Sequence, residues 1–299
     1  MTSIPHGLAP AGLNHGLLRG AAWRQRLGLG LLSLPALILV ALVLLLPLGW
    51  LVWLSGFDAA GDPTVANYAR LLRPAYVRGF VTTFEIAGIV TACCVVLGYP
   101  VAYLLVQVPP RIAQVLLLFI VLPFWTSVLV RTYAWLVLLQ REGVINSWLL
   151  GLGIIGQPLE LVHNMLGTVI GMVHVMLPFL ILPLYASMKT IDPALLLAAA
   201  NCGASPSRAF RQVFLPLSMP GLAAGVGLTF VLCLGFYLTP ALLGGGKVAM
   251  WSMQIADNIA LFGNWGAASA LGVVLLAITA IVLLGLRRLL RVPGVEGGE

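Results

Sequence analysis

Glu85 is the one acidic residue placed well inside a long apolar run of this sequence. A carboxylate in hydrocarbon is costly and is kept where a cavity or a partner receives it. Two readings stand for it: a counter-charge for a cationic solute, or a partner for an arginine or a polar face at a helix–helix contact. Arg131 sits in a second apolar run, where it either lines a gate or snorkels its guanidinium to the headgroups. Trp125, Tyr133, Trp135 and Tyr237 offer ring faces that attract ammonium groups. Aromatics at span ends equally serve as interfacial anchors. Other chemistry fails on spacing. Gly244–Lys247 reads GGGK, but a phosphate loop needs Gly at 241 and Ser or Thr at 248, where the chain has Ala241 and Val248. His163 and His174 lie 11 residues apart, off the i, i+4 spacing of helical zinc ligands. The cysteines at 93, 94, 202 and 233 form no C-x-x-C or Cys/His pattern and read as small apolar residues. No Ser/His or paired-Asp arrangement supports an intramembrane hydrolase.

The elements that position these groups are membrane spans. Of 299 residues, 61% are hydrophobic and 8% charged, against roughly a quarter charged in soluble domains. The fold class is all-α and polytopic. Six runs reach the roughly 20 residues that a span needs: 27–54, 79–106, 113–139, 165–188, 221–242 and 266–290. Residues 1–26 precede them, too long and Gly/Pro-bearing for a cleavable signal, and 291–299 form a tail. With both termini inside, ten of the 16 Lys and Arg fall on the inner side, as the positive-inside rule requires. The net charge of +7 therefore reads as this bias and as contact with anionic membrane lipid, not as nucleic-acid binding. Residues 140–164 are semi-apolar, Gly-broken and too short to span; they suit a helix at the outer interface or one dipping into a cavity. Pro35, Pro47, Pro100, Pro123, Pro178, Pro183 and Pro240 are expected to interrupt and bend the spans.

Between the fourth and fifth runs lies TIDPALLLAAANCGASPSRAFRQVFLPLSMPG, residues 190–221. Asp192 and Pro193 read as a helix start, because the carboxylate accepts from free N–H groups and proline suits the first helical position. Gly203 reads as its stop, taking the left-handed C′ conformation. Ser205-Pro206 repeats the start, and Leu215-Pro216 with Pro220-Gly221 is expected to end the second helix. The first helix, residues 193–202, is apolar on nearly every face. At about 1.5 Å per residue it covers roughly half a bilayer, so it cannot cross. We read it as a rod that docks into a groove on another protein.

The loop resembles the cytoplasmic loop of permease subunits in bacterial ABC importers, the binding-protein-dependent inner-membrane component family. That loop follows E-A-A-x-x-x-G, a spacer, then L-P. Ala198 and Ala199 match the alanines, Gly203 the glycine with Ala204 beside it, and Leu215-Pro216 the closing pair; Leu197 stands at the glutamate position. LGYPVAY, PFWTSVLVRTYAW, GMVHVMLPFLILPL, LTPALLGGG and NWGAASAL resemble the spermidine/putrescine-type branch, as its first permease. The resemblance implies a type I importer permease fold with Asp192, Pro193, Ala198, Ala199, Gly203, Ala204, Leu215 and Pro216 forming the ATPase-coupling loop. It implies a second homologous permease, two ATP-binding-cassette subunits and an extracytoplasmic solute-binding protein. This chain then carries no cofactor, and ATP and Mg are used by the ATPase subunits. A polyamine is the implied solute, with an organic amine, iron(III) or a phosphonate as alternatives. A self-sufficient secondary transporter would have no use for the apolar rod and would carry more coupling acids than Glu85.

Overall fold

The computed structural model of the chain describes residues 14–58 and 60–289, with side chains over 33–58 and 60–285. Among them the regular elements are helical apart from one isolated bridge, Phe57 to Pro63. The chain divides into two units, Met1–Trp53 and Leu54–Glu299.

The first unit is built on helix α1, Asn14–Leu54. Its Ser33–Leu54 portion is long and apolar enough to cross a membrane and is wholly unburied, a surface that needs lipid or another protein around it. Helix α1 begins inside the segment expected to precede the first span, and it passes through Pro35 and Pro47 without interruption. The N-terminal arginines 19, 24 and 26 and the C-terminal arginines 287, 288 and 291 have side chains outside the described residues, and the tail 291–299 lies there entirely.

The second unit is organised by three long helices: α3, Pro74–Gln107; α7, Met165–Lys189; and α10, Leu215–Leu234. They pack against one another pairwise. Ile86, Met172, Met176, Leu180, Leu184 and Leu234 are fully buried among them. Lipid tails are as apolar as leucine, so close backbone approach rather than hydrophobic burial holds spans together. Gly225 supplies that approach. A Cβ there would lie 2.9 Å from the Leu180 carbonyl oxygen and 3.3 Å from its Cα. Gly221, one turn earlier, meets Ser187 in the same way. Helix α13, Trp265–Leu289, completes the long elements.

Three sequence expectations are corrected. The third span, 113–139, is broken: α4, Pro110–Val121, passes into a 3-10 turn at Leu122–Trp125, and the stretch Val128–Gly151, which starts with α5 (Val128–Leu139), leaves at 98° to Pro110–Trp125. Ser127 caps α5 by accepting from the Leu129 N–H, so two residues that looked like passing polar positions restart the helix. The described chain thus has five unbroken membrane-length helices, or six if the bent pair counts as one. Second, the expected helix end at 215–221 is absent. Residues Pro206–Leu234 run as one helical stretch, through α9 (Pro206–Ala209), a π turn at Phe210–Phe214 and α10. A proline ring crowds the carbonyl four residues back; the wider π turn immediately before Pro216 makes that room. Third, Pro100, Pro178, Pro183 and Pro220 lie inside continuous helices. Each removes one donor, a local loss that packed neighbours absorb. The real break after α10 is at Gly235, before the short α11, Leu238–Leu243.

At the end of the bundle where α7 begins, α6 (Val144–Gly151) and residues 152–164 form a cap. Buried Asn146 pins it, donating to the Gln140 and Leu159 carbonyls and accepting from the Leu159 N–H. Trp148, Leu152 and Ile154 face outward, as an interfacial segment would. Helix α12, Trp251–Ala260, closes the same end against α3, with the Trp251 indole donating to the Tyr76 carbonyl.

Forcing a side chain between α10 and α7 should cost about 1–3 kcal/mol, the usual price of overpacking. Gly225→Val should therefore lower the melting temperature of the purified chain in detergent. Gly88→Val is the control, because a Cβ at Gly88 meets nothing within 4 Å; equal melting temperatures for the two would remove the close-approach argument.

Candidate functional site

Helix α8, Pro193–Asn201, follows directly from the far end of α7. Asp192 caps it, its carboxylate accepting from the Ala194 N–H at 2.8 Å. At the other end the Gly203 N–H donates to the Ala200 carbonyl and the Ala204 N–H to the Ala199 carbonyl, with Gly203 at φ +81°. This paired closure is the Schellman arrangement, and it needs a residue free to turn left-handed. Open space surrounds Gly203, so its constraint is conformational and not steric. The loop is thus a rod with both ends tied locally, and its shape does not depend on packing.

No residue of α8 is buried. Leu195 is 45% and Leu197 66% exposed, while Leu196 turns in to the core. Pro193 and Ala198 also face out, and Ala199 and Ala204 are partly covered. The Leu197 side chain thus lies where a partner surface would meet it. Beside the rod, Ser205, Ser207, Arg208, Arg211 and Gln212 line a polar hollow. Arg211 Nη2 donates to Ser207 Oγ at 3.0 Å. Leu215 is partly covered and Pro216 exposed at the mouth of α10.

An aromatic joint ties the loop to the bundle. Tyr103 of α3 meets Phe210 and Phe214 edge-on at 5.3 and 5.1 Å, and Tyr99 meets Phe210 at 6.3 Å. The Tyr99 hydroxyl lies 2.9 Å from Ser218 Oγ of α10. The π turn that follows the rod is thus joined to α3 by edge-on rings. Sequence reading passed over these four rings. Their signal was present: Tyr99 and Tyr103, like Phe210 and Phe214, are four apart and so share one helix face.

The groups singled out within the spans do not converge in one chain. Glu85 is exposed on α3, on one stripe with Val81, Ile89, Ala92 and Val96. Among the described residues it has no ion pair. Arg131 is half-buried on α5, and its Nε is buried without a hydrogen-bond partner. One turn on, the Trp135 indole donates to His174 Nδ1 at 3.0 Å, which leaves Nε2 to carry the proton of a neutral ring. His174 lines a cleft of about 420 Å³ in the crook of the broken span, between Phe119 and Pro123 on one side and Leu97 and Leu177 on the other. Trp125 is 88% exposed, and Tyr133 and Tyr237 are about half exposed. Among the described residues no ring contact joins these three, while Trp135, the fourth ring, packs against His174.

Comparison with known proteins agrees with this geometry. Residues 94–291 match the family model described as binding-protein-dependent transport system inner membrane component. The spermidine/putrescine transport system permease protein PotB of Haemophilus influenzae is 35% identical over 220 residues, 74% of this chain and 77% of that protein. A putative 2-aminoethylphosphonate transport system permease protein, PhnU of Salmonella typhimurium, is 27% identical over 89% of this chain and 92% of its own. In fold, a chain of the crystal structure of a bacterial alginate ABC transporter superposes with a TM-score of 0.71, covering 90% of this chain and 95% of that one at 16% identity. The apolar spans, the exposed capped rod between them and the match over two thirds of the sequence lead to one assignment: the chain is a multi-pass membrane protein of the binding-protein-dependent transport system inner-membrane component family, a non-catalytic permease subunit of an ABC importer.

Proposed function

We propose that this permease forms half of the path for a polyamine of the spermidine or putrescine type. The observation that carries the coupling part of the reading is α8: a capped, exposed, apolar rod with no buried residue of its own. A surface like that is stable in water only under a partner, and a groove on an ATPase subunit is the partner that the family supplies. Closure of two ATPases would draw the two permeases' rods together. The shift would enter α3 and α10 through Tyr99, Tyr103, Phe210 and Phe214 and move them together with α7 as one rigid body.

In this reading the chain has six spans, with the bent pair counted as the third. Residues 1–26 and 291–299 are cytoplasmic, 27–290 form the permease domain, and loop 190–221 contains the coupling helix. A second homologous permease closes the path, and an extracytoplasmic receptor delivers the solute at the α6 and α12 end. The polyamine assignment is supported by the PotB relative and by Glu85, a carboxylate exposed on a span and without an ion pair among the described residues. Trp125, Tyr133 and Tyr237 would contribute ring faces to the same path only once the second permease is in place. Arg131 sits at the bend and would gate it. The PhnU relative supports a second reading, a zwitterionic aminophosphonate, for which Arg131 would meet the anionic end.

Leu195→Asp with Leu197→Asp should abolish co-purification of the ATPase subunits while leaving the chain folded. If the purified chain alone moved solute in liposomes without any ATPase, the reading would fail. Gly203→Val should uncouple uptake from ATP hydrolysis, since a left-handed β-branched residue costs about 1–2 kcal/mol. Gly203→Asn should retain coupling, because Asn tolerates that conformation. Glu85→Gln should lower uptake of a dication and leave ATPase activity intact; unchanged uptake kinetics would take Glu85 out of the path.

A further inference from the structure

At the end of α7 opposite the coupling rod, the chain is held in a conformation its sequence does not favour. His163 has φ +59°, the only described residue other than glycine with a positive φ. Histidine enters this region more readily than most residues but still at a cost, and such outliers gather where a side chain has to be aimed. What holds it is visible. The next residue, Asn164, donates its N–H to the Leu243 carbonyl and caps α7 by accepting from the Gly167 N–H. Gly245, itself at φ +55°, lies so close to the imidazole that a Cβ there would sit 2.5 Å from the His163 Cβ. The turn before α7 and the glycine turn after α11 are thus clamped together, and between them opens a cleft of about 210 Å³.

The charged and titratable groups lining that cleft are Arg141, Glu160, His163 and Lys247. Glu160 is taken by Arg141 in an ion pair. Lys247 has no acid partner among the described residues. The cleft therefore presents one unneutralised ammonium beside a fixed imidazole, and its complement is a carboxylate. We propose that it is the docking point for a carboxylate on the solute-binding receptor. This rests on the preceding reading, in which this end of the bundle faces outward and receives that receptor. Charge decides against the solute itself as occupant, because a polyamine would be repelled by the unneutralised Lys247. It favours the receptor, because a protein that holds a polycation must line its own cleft with carboxylates. Seating one of those carboxylates between Lys247 and His163 would register the receptor over the path and weaken its hold on the solute at the same moment.

The test uses the assembled transporter in nanodiscs of neutral lipid, with receptor binding followed in real time. An exposed charge at an interface acts mainly on the association rate and its salt dependence. Lys247→Glu should slow association about tenfold at low salt, with the difference shrinking at high salt as charges are screened. Lys247→Arg should stay near wild type. His163→Asn, which keeps the left-handed turn, should speed dissociation without lowering the melting temperature. ATPase activity without receptor should be unchanged in all three. Wild-type binding with no change in Lys247→Glu would overturn the docking point alone. If Lys247→Glu altered behaviour only when anionic lipid was added, the cleft would be a headgroup site and the proposal would also fall. Absence of receptor binding by the wild-type transporter would overturn the reading of this end of the bundle, and the docking point with it.

Discussion

The contact between α10 and α7 at Gly225 and Leu180 governs the second unit. In water, burial of leucines would bring two such helices together and would tolerate a range of separations. In hydrocarbon that drive is missing, and what is left is van der Waals contact between backbones at short range. Gly225 puts α10 directly on the Leu180 backbone of α7, and Gly221 leaves room for the Ser187 side chain. With α3 packed on both, the three helices form a fixed wedge. The rod and the clamped turn hang from the two ends of that wedge. Its α8 end carries the capped rod and the aromatic joint, and its other end carries the clamped turn at His163.

This arrangement separates shape from seating. The rod keeps its shape through its own caps, Asp192 at one end and Gly203 at the other, and makes little use of the bundle for stability. Its seat on the bundle is the cluster of Tyr99, Tyr103, Phe210 and Phe214. Edge-to-face ring contacts are worth about 0.5–1.5 kcal/mol each beyond area burial, enough to hold a direction and not enough to prevent rocking. A stiff rod on a firm but shallow seat passes on a push without storing it.

Much of this could be read from residue types. The apolar helices, the loop and both ends of its first helix follow from apolar run length, from Asp192-Pro193 and from Gly203, all local signals with local causes. What could not be read was set by context. Pro123 marked the third span for interruption, and the break does fall at its 3-10 turn, but only the resulting geometry shows Ser127 capping the helix that restarts beyond it. Pro216 and Pro220 looked like stops because the sequence does not reveal the π turn that makes room for the first of them. Tyr133 and Trp135 are two residues apart on a helix and so point to nearly opposite sides, a fact the spacing did contain.

The π turn at Phe210–Phe214 has one further effect. A π turn is an α-helix with one residue too many, and each residue carries the helix round by about 100°. The extra residue sets the azimuth of all that follows, so Gly221 and Gly225 meet α7 only because the surplus is kept. Losing one residue there would heal the helix locally while rotating its glycines off α7 and bulky side chains onto it. Chain length in this stretch is therefore under tighter constraint than residue identity. The loop and the span after it are geared together with no tooth to spare.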